Sequence, residues 1–396
     1  MVSGRDISPD SGLIRLGMVG GGQGAFIGGV HRIAARLDGA FSLVAGALSS
    51  DPARARASAD ELGIAPDRSY GSFAEMAKAE AKRADGIEAV SIVAPNHVHW
   101  PAAKAFLEAG IHVICDKPLT SNLADARKLA ALVARSGRLL VLTHNYTGYP
   151  MVRQAREMVV KGLLGDIRVV QAEYAQDWLT ERVEDTGSRQ AVWRTDPAKS
   201  GAGGATGDIG THAWNLLRFV TGLTLDALSA DLDAFVPGRR LDDNAHILLR
   251  FAPKDGLPAA KGVIWASQVA PGNENALRLR VYGTKGGLEW SQEQPNHLWF
   301  TALGEPKQLI TRGGAGAGAA AARVSRIPAG HPEGYLEGFA TIYAEAARAI
   351  RAAREGRKPA DDVVFPTVAD GVEGVAFVEA CVKSAKKNAA WTALAV

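Results

Sequence analysis

A glycine-rich loop near the start of the chain has the residue types that hold a phosphate group. Residues 20–28 have the sequence GGGQGAFIG, and they lie between a predicted strand at residues 13–19 and a predicted helix that continues through His31 and Ala35. Glycines let the chain turn sharply and let a pyrophosphate reach the free N–H groups at the start of a helix. Because a strand precedes the loop and a helix follows it, the pattern predicts a dinucleotide site instead of a simple glycine-rich turn.

The spacing of these glycines departs from the common pattern. Gly20 and Gly22 fit it, but the next glycine that could pack the helix is Gly28, as though residues 24–26 were inserted. We expect the extra residues to reach over the bound cofactor. The cofactor contacts predicted in this loop are Gly20, Gly22, Gln23, Ala25, Phe26 and Ile27.

The residues after the second predicted strand bear on the choice between NAD and NADP. An acidic residue there commonly binds the ribose 2′-hydroxyl, but this chain has Ser49 and Ser50, followed by Asp51 and Arg54. Two hydroxyls and a guanidinium suit a 2′-phosphate. Asp51 could bind the ribose, or it could cap the helix that begins at Pro52. The sequence therefore allows both cofactors, with a slight preference for NADP, and predicts contacts from Ser49, Ser50 and Arg54.

The elements around this loop alternate between strands and helices. Short apolar runs predict five strands, at residues 13–19, 43–48, 89–93, 111–115 and 139–143, and the stretches between them have helical spacing. Such alternation implies right-handed crossovers and a parallel sheet covered on both faces. We therefore predict an α/β dinucleotide-binding domain of the Rossmann type over residues 12–144.

Beyond residue 145 the pattern changes to consecutive strands, predicted at residues 167–175, 245–251, 262–268, 277–282 and 297–302. This pattern predicts an α+β domain with a large, open, mostly antiparallel sheet over residues 145–396. A Gly/Ala run at residues 313–322 predicts a mobile surface loop. Long helices are predicted at residues 335–354 and 368–387, where they could pack back on the first domain.

Composition and charge exclude several classes of protein. Hydrophobic residues make up 47% of the chain and charged residues 22%, which is typical of a globular protein and not of a disordered chain. Lys and Arg number 45 against 42 Asp and Glu, too small an excess for a nucleic-acid binder. Cys115 and Cys381 show no metal-ligand spacing, so no metal site is expected. Residues 1–10 lack the apolar core of a signal peptide, and no run is long enough to cross a membrane, so we expect a cytoplasmic protein.

Two sequence motifs identify a resemblance to a known family. Residues 92–99, IVAPNHVH, are followed by Asp116-Lys117-Pro118, and residues 203–212 have the sequence GGATGDIGTH. In this order and at this separation, they resemble the Glu-Lys-Pro and GGxxxDxGxH signatures of the Gfo/Idh/MocA family, which includes glucose-fructose oxidoreductase and inositol dehydrogenase. The resemblance extends over essentially the whole chain from Gly12. It implies a Rossmann domain, a substrate domain with a large open sheet, and an active site between them.

The resemblance also implies an activity and its catalytic residues. Family members oxidise or reduce sugars, inositols and related polyols, and Lys117, Asp208 and His212 match the family's catalytic residues. These residue types suit the chemistry, since a neutral histidine accepts the hydroxyl proton and an ammonium group stabilises the developing alkoxide. An aspartate can hold a neighbouring hydroxyl or orient the other two side chains. Asp208 and His212 are four residues apart, so a helix there would place both on one face.

Further contacts are predicted around these three residues. Because ligands bind at the carboxyl ends of strands in open α/β sheets, we expect cofactor contacts from Pro95, Asn96, His99, Asp116 and Lys117. Asn96 is favoured over His97 and His99 for the nicotinamide ribose, since the two histidines also suit structural roles. Candidate residues of the substrate wall are Tyr146, Tyr149, Trp193, Arg194 and His331, for each of which simple packing is the alternative.

Three functions fit these features. The leading prediction is an NAD(P)-dependent dehydrogenase for a sugar or polyol. The first alternative is a glycoside-cleaving enzyme of the same family, which oxidises C3 transiently, eliminates the aglycone and reverses the oxidation. The second alternative is a sensor without catalytic activity, and the presence of Lys117, Asp208 and His212 argues against it. An uncovered sheet face between residues 245 and 302 further predicts a homodimer or homotetramer.

Overall fold

The first part of the chain folds into a five-stranded parallel sheet. The computed structural model describes residues 12–253, 256 and 258–395, so the N-terminal segment for which no signal peptide was predicted lies outside the described residues. The strands are β1 (Ile14–Gly20), β2 (Phe41–Ala47), β3 (Ala89–Val93), β4 (His112–Cys115) and β5 (Leu140–Leu142). They lie in the order β2-β1-β3-β4-β5, and every neighbouring pair is parallel.

Helices cover both faces of this sheet, which explains why its strands are apolar along most of their length. Strands β3 and β4 are buried at every residue. Three of the helices follow a capping side chain, from Asp51, Ser72 or Asn122, which accepts a hydrogen bond from the backbone N–H three residues later. The helices of this part are α1 (Phe26–Leu37), α2 (Pro52–Glu61), α3 (Phe73–Glu80), α4 (Asn96–Glu108) and α5 (Leu123–Ser136).

The second sheet has nine strands. They are β6 (Ile167–Ala175), β7 (Leu225–Asp233), β8 (Asn244–Phe251), β9 (Lys261–Ser267), β10 (Ala276–Gly283), β11 (Gly286–Ser291), β12 (His297–Ala302), β13 (Gln308–Thr311) and β14 (Thr392–Ala393). Their order is β13-β12-β11-β10-β6-β9-β8-β7-β14. Within the part of the chain that the structure describes, β6 and β9 are the one parallel pair, and the other pairs are antiparallel. The predicted fold class, a Rossmann-type α/β part plus an α+β part with a mostly antiparallel sheet, is confirmed.

The remaining helices lie around the second sheet and between the two sheets. They are α6 (Pro150–Val160), α7 (Arg189–Arg194), α8 (Pro197–Ser200), α9 (Thr211–Thr221), α10 (Ala319–Ala322), α11 (Tyr335–Arg354) and α12 (Val368–Ala385). Helices α6 and α9 bury their apolar residues against one face of the nine-stranded sheet. The other face carries large apolar side chains that are about half exposed: Val169, Leu248, Tyr282, Trp299 and Leu309.

The two C-terminal helices pack on the first sheet. Phe339 and Tyr343 of α11 lie against His31 of α1 and share a core with β1. Val372 and Val375 of α12 share a core with the strands and with α5. Residues from the far end of the chain therefore complete the layers around the dinucleotide-binding part.

The Gly/Ala run, predicted as a mobile surface loop, is instead anchored to the second part of the chain. The backbone N–H of Gly318 donates to Oε1 of Gln154 at 2.6 Å, and that of Ala320 donates to Oε2 of Glu157 at 3.0 Å. Ala321 is fully buried. Two side chains of α6 thus accept hydrogen bonds from N–H groups at the start of the short helix α10. The low complexity of the sequence could not indicate these contacts. No helix among the described residues is long and apolar enough to cross a membrane.

Candidate active site

A cleft of about 1650 Å3 opens at the edge of the first sheet where its strands end. Gly20, Val93, Asp116 and Thr143, at the carboxyl ends of β1, β3, β4 and β5, line it. The opposite wall comes from α7, β6 and the residues before β10. All the residues predicted to contact the cofactor except His99 line this cleft: Gly20, Gly22, Gln23, Ala25, Phe26, Ile27, Ser49, Ser50, Arg54, Pro95, Asn96, Asp116 and Lys117.

The glycine loop forms a cradle in which side chains would not fit. Gly20 has φ +75°, and a Cβ on it would lie 2.3 Å from the carbonyl oxygen of Val93. A Cβ on Gly28 would lie 2.2 Å from the carbonyl oxygen of Gly21. Ala25 is the N-cap residue of α1, and no described side chain caps the start of this helix, so its first N–H groups are available to a phosphate. The residues present therefore fit the pyrophosphate of a dinucleotide.

The glycine loop is tied to α2 just before its inserted residues. The backbone N–H of Gln23 donates to Oγ of Ser58 at 3.0 Å, and its side-chain amide donates to Glu61 at 2.9 Å. Phe26, the first residue of α1, is 71% exposed and lines the cleft. Phe26 is therefore the inserted residue that could cover a cofactor, while Gln23 fixes the loop against α2.

Asp51 caps α2 in the structure. Its Oδ1 accepts a hydrogen bond from the backbone N–H of Arg54 at 2.8 Å. Of the two roles that the sequence allowed for Asp51, the structure has the capping one. Ser49, Ser50 and the exposed Arg54 line the cleft beside it.

The two predicted contacts after β3 differ in their surroundings. Asn96 lines the cleft, and its Nδ2 donates to the carbonyl oxygen of Ser200 at 2.8 Å, which joins α4 to α8. His99 is fully buried instead. Its two ring nitrogens lie 2.7 and 2.8 Å from the carbonyl oxygens of Pro118 and Ala94. The structure therefore places His99 behind the cleft, where it links the loops after β3 and β4, and not at the predicted cofactor contact.

Lys117 and Asp208 form a close pair in the middle of the cleft. Nζ of Lys117 donates to Oδ1 of Asp208 at 2.8 Å and to the carbonyl oxygen of the same residue at 2.7 Å. Oδ2 of Asp208 accepts from Nε of Arg194 at 3.2 Å and from Gln268 at 3.0 Å. Burial alone would raise the pKa of Asp208, but the charges of Lys117 and Arg194 outweigh it and hold the pKa well below its usual value. The aspartate is therefore an anion at neutral pH.

The backbone around Asp208 is wider than an α-helix. Residues 206–210 form a π-helical turn, and α9 begins only at Thr211. The expectation that Asp208 and His212 would share one face of a regular helix is thus wrong in detail. The wider turn lets Asp208 present its carboxylate and its carbonyl oxygen to the same ammonium group, an arrangement that agrees with the frequent occurrence of π-turns at functional sites.

His212 lines the cleft next to this pair and is 7% exposed. The edge of its ring contacts Tyr146, with ring centroids 4.9 Å apart. Its Nδ1 lies 3.5 Å from Nδ1 of His144, a residue that the sequence had not indicated. Burial, followed by the charge of Lys117, lowers the pKa of His212 well below its usual value. His212 is therefore neutral at neutral pH and can accept a proton.

Three of the five residues predicted to form a substrate wall line the cleft. Tyr146, Trp193 and Arg194 line the cleft, and the guanidinium of Arg194 lies over the ring of Trp193 at 4.3 Å. Tyr149 is 1% exposed and stacks behind Tyr146. His331 is exposed and lies away from the cleft lining, in the turn before α11. Aromatic type alone could not show which tyrosine faces the cavity.

Comparison with known proteins agrees with this geometry. Residues 14–144 match the model of an oxidoreductase family with an NAD-binding Rossmann fold, and residues 152–289 match that of the GFO/IDH/MocA C-terminal domain. The crystal structure of an oxidoreductase from Sinorhizobium meliloti is 62% identical, with a TM-score of 0.87, over 96% of this chain and 99% of that chain. This chain belongs to the Gfo/Idh/MocA family. It is thus a member of a family of NAD-binding oxidoreductases.

Two relatives of this Gfo/Idh/MocA protein have been solved with ligands. An inositol dehydrogenase homolog from Azotobacter vinelandii, complexed with NAD+, is 37% identical with a TM-score of 0.92 over 97% of this chain and 98% of that chain. A second structure from that organism contains NADH and myo-inositol. Levoglucosan dehydrogenase, solved with NADH and levoglucosan, is 26% identical with a TM-score of 0.79 over 96% of this chain and 99% of that chain. The sequence of the levoglucosan dehydrogenase from Pseudarthrobacter phenanthrenivorans is 27% identical over 72% of this chain and 75% of its own length.

Several polar residues of the cleft in this Gfo/Idh/MocA protein were missed by sequence reasoning. Oδ1 of Asn275 accepts from the hydroxyl of Tyr174 at 2.6 Å and from Gln176 at 2.9 Å, and the Tyr174 hydroxyl lies 2.6 Å from that of Tyr146. Gln292 accepts from the amide of Asn275 at 2.9 Å. These residues lie at the ends of three strands, β6, β10 and β11, so no local motif joins them. Their one common signal is a position at or near the end of a strand, as for the predicted residues after β3 and β4.

Asn145, like the glycine cradle, indicates that the cleft binds a ligand. It is 2% exposed and lines the cleft, and its Nδ2 has no hydrogen-bond partner among the residues that the structure describes. Buried amide donors are almost always paired, so this group fits an acceptor on a bound molecule. Among the described residues, no group of three or more His, Cys, Asp or Glu side chains is placed to hold a metal ion.

Proposed function

We propose that this protein transfers a hydride between a nicotinamide dinucleotide and a hydroxyl of a sugar, glycoside or cyclitol. The observation that carries the proposal is the convergence of a neutral histidine and a paired ammonium group, His212 and Lys117, beside the glycine cradle. Residues 12–144 hold the cofactor in this proposal, and residues 145–396 supply the substrate wall. The amide of Asn145, unpaired among the described residues, and the crowded glycines Gly20 and Gly28 support the binding of a dinucleotide.

In the oxidative direction, His212 accepts the proton of the substrate hydroxyl as general base. Such a group typically contributes about 10²–10⁴-fold to the rate. A nicotinamide dinucleotide held by the glycine cradle would supply the hydride acceptor for the carbon that bears this hydroxyl. The ammonium group of Lys117 donates to the substrate oxygen and stabilises the negative charge that develops on it. Asp208 holds that ammonium group in place.

The wall opposite Lys117 suits a substrate with several hydroxyl groups. Tyr146, Gln176, Asn275 and Gln292 line it with phenol and amide groups, which can both donate and accept hydrogen bonds. Trp193 adds an aromatic face, which suits the apolar C–H face of a sugar ring. The myo-inositol and levoglucosan bound by the two relatives are of this chemical class.

For the cofactor, we propose that both NAD and NADP are accepted, with a modest preference for NADP. Because the carboxylate of Asp51 is engaged as a helix cap, it leaves the neighbouring Ser49, Ser50 and Arg54 available to a 2′-phosphate. The relatives with bound NAD+ or NADH support the acceptance of NAD.

The test is a panel of cyclitols, free sugars and glycosides, incubated with NAD+ or NADP+ and followed by absorbance at the reduced-nicotinamide band. We expect the wild-type protein to reduce the cofactor with at least one neutral polyol. His212→Asn and Lys117→Met should lose this activity, whereas Lys104→Met, on the surface of α4, should retain it. Release of an aglycone without net cofactor reduction would instead identify the glycoside-cleaving reaction. Cofactor binding without turnover of any member would contradict an enzymatic role and favour a sensor.

A further inference from the structure

A second histidine lies directly against the proposed base. His144 follows β5, its side chain is buried at 2% exposure, and its Nδ1 lies 3.5 Å from Nδ1 of His212. The two ring planes are almost perpendicular, at 87°. His212 lines the cleft, whereas His144 lies behind it. The contact therefore uses the nitrogen of His212 that faces away from the substrate.

The position of one proton in this contact decides whether His212 can act as a base. In a hydrogen bond between the Nδ1 atoms of two neutral rings, one ring donates its Nδ1 proton and the other ring carries its proton on Nε2. If His144 donated it, His212 would carry its own proton on Nε2, which faces the cleft, and could accept none from the substrate. If His212 donates it, Nε2 of His212 is left with a free lone pair. Only the second arrangement suits the proposed reaction.

We infer that His144 is a positioning residue that accepts the Nδ1 proton of His212 and so keeps Nε2 of His212 free toward the substrate. The inference rests on the proposed function for its role in turnover, but the tautomer itself is a property of the free protein. The distance is long for such a hydrogen bond, as is common in unliganded sites that tighten when substrate binds.

The backbone around His144 is fixed from both sides. Its carbonyl oxygen accepts from Oγ1 of Thr147 at 2.8 Å, and its N–H donates to the carbonyl oxygen of Leu142 at 3.0 Å. The 3-10 turn that follows ends at Gly148, where a Cβ would lie only 2.0 Å from the carbonyl oxygen of Gly338 in α11. These contacts fix the backbone from which the ring of His144 reaches His212 in α9.

The charges around the pair favour a neutral acceptor. Burial, followed by the charge of Lys117, lowers the pKa of His144 to about 3. Apart from His144, the groups that face His212 are Lys117, Asp208, Tyr146 and Tyr174. An uncharged partner orients His212 without raising its pKa, whereas a carboxylate in the same position would stabilise the imidazolium and raise it.

Three variants of the full-length protein separate these effects. His144→Leu removes the acceptor, and we expect kcat to fall by at least about 10-fold with KM within about 3-fold. His144→Asn restores an acceptor oxygen and should recover most of kcat. His144→Asp should move the acid limb of the kcat/KM profile to higher pH by about one unit or more. His112→Leu is the matched control, because His112 is also a buried histidine, accepting at Nδ1 from the N–H of Leu139, but lies away from the cleft.

The tautomer is measured separately, by nitrogen NMR of protein labelled at histidine and without substrate. We expect His212 in the wild type to be protonated at Nδ1 and free at Nε2, and His144→Leu to lose that preference. A wild-type His212 protonated at Nε2, or a His144→Leu variant with unchanged tautomer and kcat, would overturn the inference. If the tautomer is as expected but no polyol is oxidised, the proposed function fails and the orienting contact stands.

Discussion

Nζ of Lys117 lies 2.8 Å from the carboxylate and 2.7 Å from the carbonyl oxygen of Asp208. An ammonium group has three N–H bonds, and these two contacts leave one for a substrate oxygen. The other carboxylate oxygen of Asp208 is held by Arg194 and Gln268. Asp208, Arg194 and Gln268, which lie in three separate parts of the chain, therefore set the direction of the third N–H bond of Lys117.

Removal of either proposed catalytic side chain should abolish most turnover while the cofactor still binds. We expect Lys117→Ala and His212→Ala each to lower kcat by at least about 100-fold, as for loss of an electrostatic stabiliser or a general base. The cofactor should still bind, as measured by fluorescence titration, because the glycine cradle is intact. Lys104→Ala, which removes an exposed ammonium group paired with Glu108, is the control. Near wild-type turnover in either variant would refute the role assigned to that residue.

The pH dependence of the reaction should reflect the low pKa of His212. Burial and the charge of Lys117 both disfavour the imidazolium, so the base stays neutral below the usual histidine range. We expect kcat/KM for alcohol oxidation to stay nearly constant from about pH 8 to below about pH 6.5, the ordinary histidine value. In Lys117→Met the residual activity should show an acid limb at higher pH, because a repelling charge has been removed. A wild-type midpoint above the ordinary value would contradict this prediction.

The elements that the sequence predicted best are those with strong apolar patterns. Strands β3, β6 and β12 were predicted to the residue, because each is a continuous or alternating apolar run between turns. Strands β7, β11 and β13 were missed. The sequence of β7, LDALSADLD, has low strand propensity, and it forms a strand because it pairs along its length with β8.

The candidate site was predictable where its residues belong to local motifs. Lys117, Asp208 and His212 are such residues, and the structure brings them together. His144, Gln268 and Asn275 could not be found in this way, because they meet the motif residues only after separate strand ends converge. Tyr149 and His331 were proposed from residue type, which does not show whether a side chain faces the cleft or the core.

The close approach of Gly148 and Gly338 should make Gly148 intolerant of a side chain. A Cβ on Gly148 would lie 2.0 Å from the carbonyl oxygen of Gly338, so the 3-10 turn and α11 must separate. We expect Gly148→Ala to lower the free energy of unfolding by about 1–3 kcal/mol, measured by denaturant unfolding. It should also lower kcat, since the turn carries Asn145 and Tyr146. Gly29→Ala is the control, because the nearest neighbour of its Cβ would lie at 3.9 Å, and it should not destabilise the protein. Equal stability of the two variants would show that the contact between Gly148 and Gly338 does not exclude a side chain.

The exposed face of the nine-stranded sheet, on which large apolar side chains lie among charged ones, should be an interface between copies of this chain. Leu248 is 53% exposed and Trp299 is 40% exposed on that face, and apolar sheet faces of this kind are commonly buried by association. We expect a homodimer or homotetramer by light scattering, and dissociation in the double variant Leu248→Lys/Trp299→Lys. Val160→Lys, at a 76% exposed position on α6, should leave the assembly intact. A wild-type monomer at working concentration would contradict the prediction.

Arg54 should distinguish the two cofactors. The carboxylate of Asp51 accepts from the backbone N–H of Arg54 and is thus turned toward its own helix. Ser49, Ser50 and Arg54 line the cleft, whereas Asp51 does not, so we expect little repulsion of a 2′-phosphate. The guanidinium of Arg54 can pair with that phosphate through two N–H bonds. We expect activity with both cofactors and a modest preference for NADP.

In Arg54→Ala, the Kd for NADP should rise by at least about 10-fold, as for loss of a charge-assisted bidentate contact, while the Kd for NAD stays within about 3-fold. Arg56→Ala is the matched control, since Arg56 is an exposed arginine of the same helix that does not line the cleft. Fluorescence titration of both cofactors with each variant gives the four changes in affinity directly. Equal losses for NAD and NADP in Arg54→Ala would show that Arg54 does not contact the 2′-phosphate, and the enzyme would then be assigned to NAD.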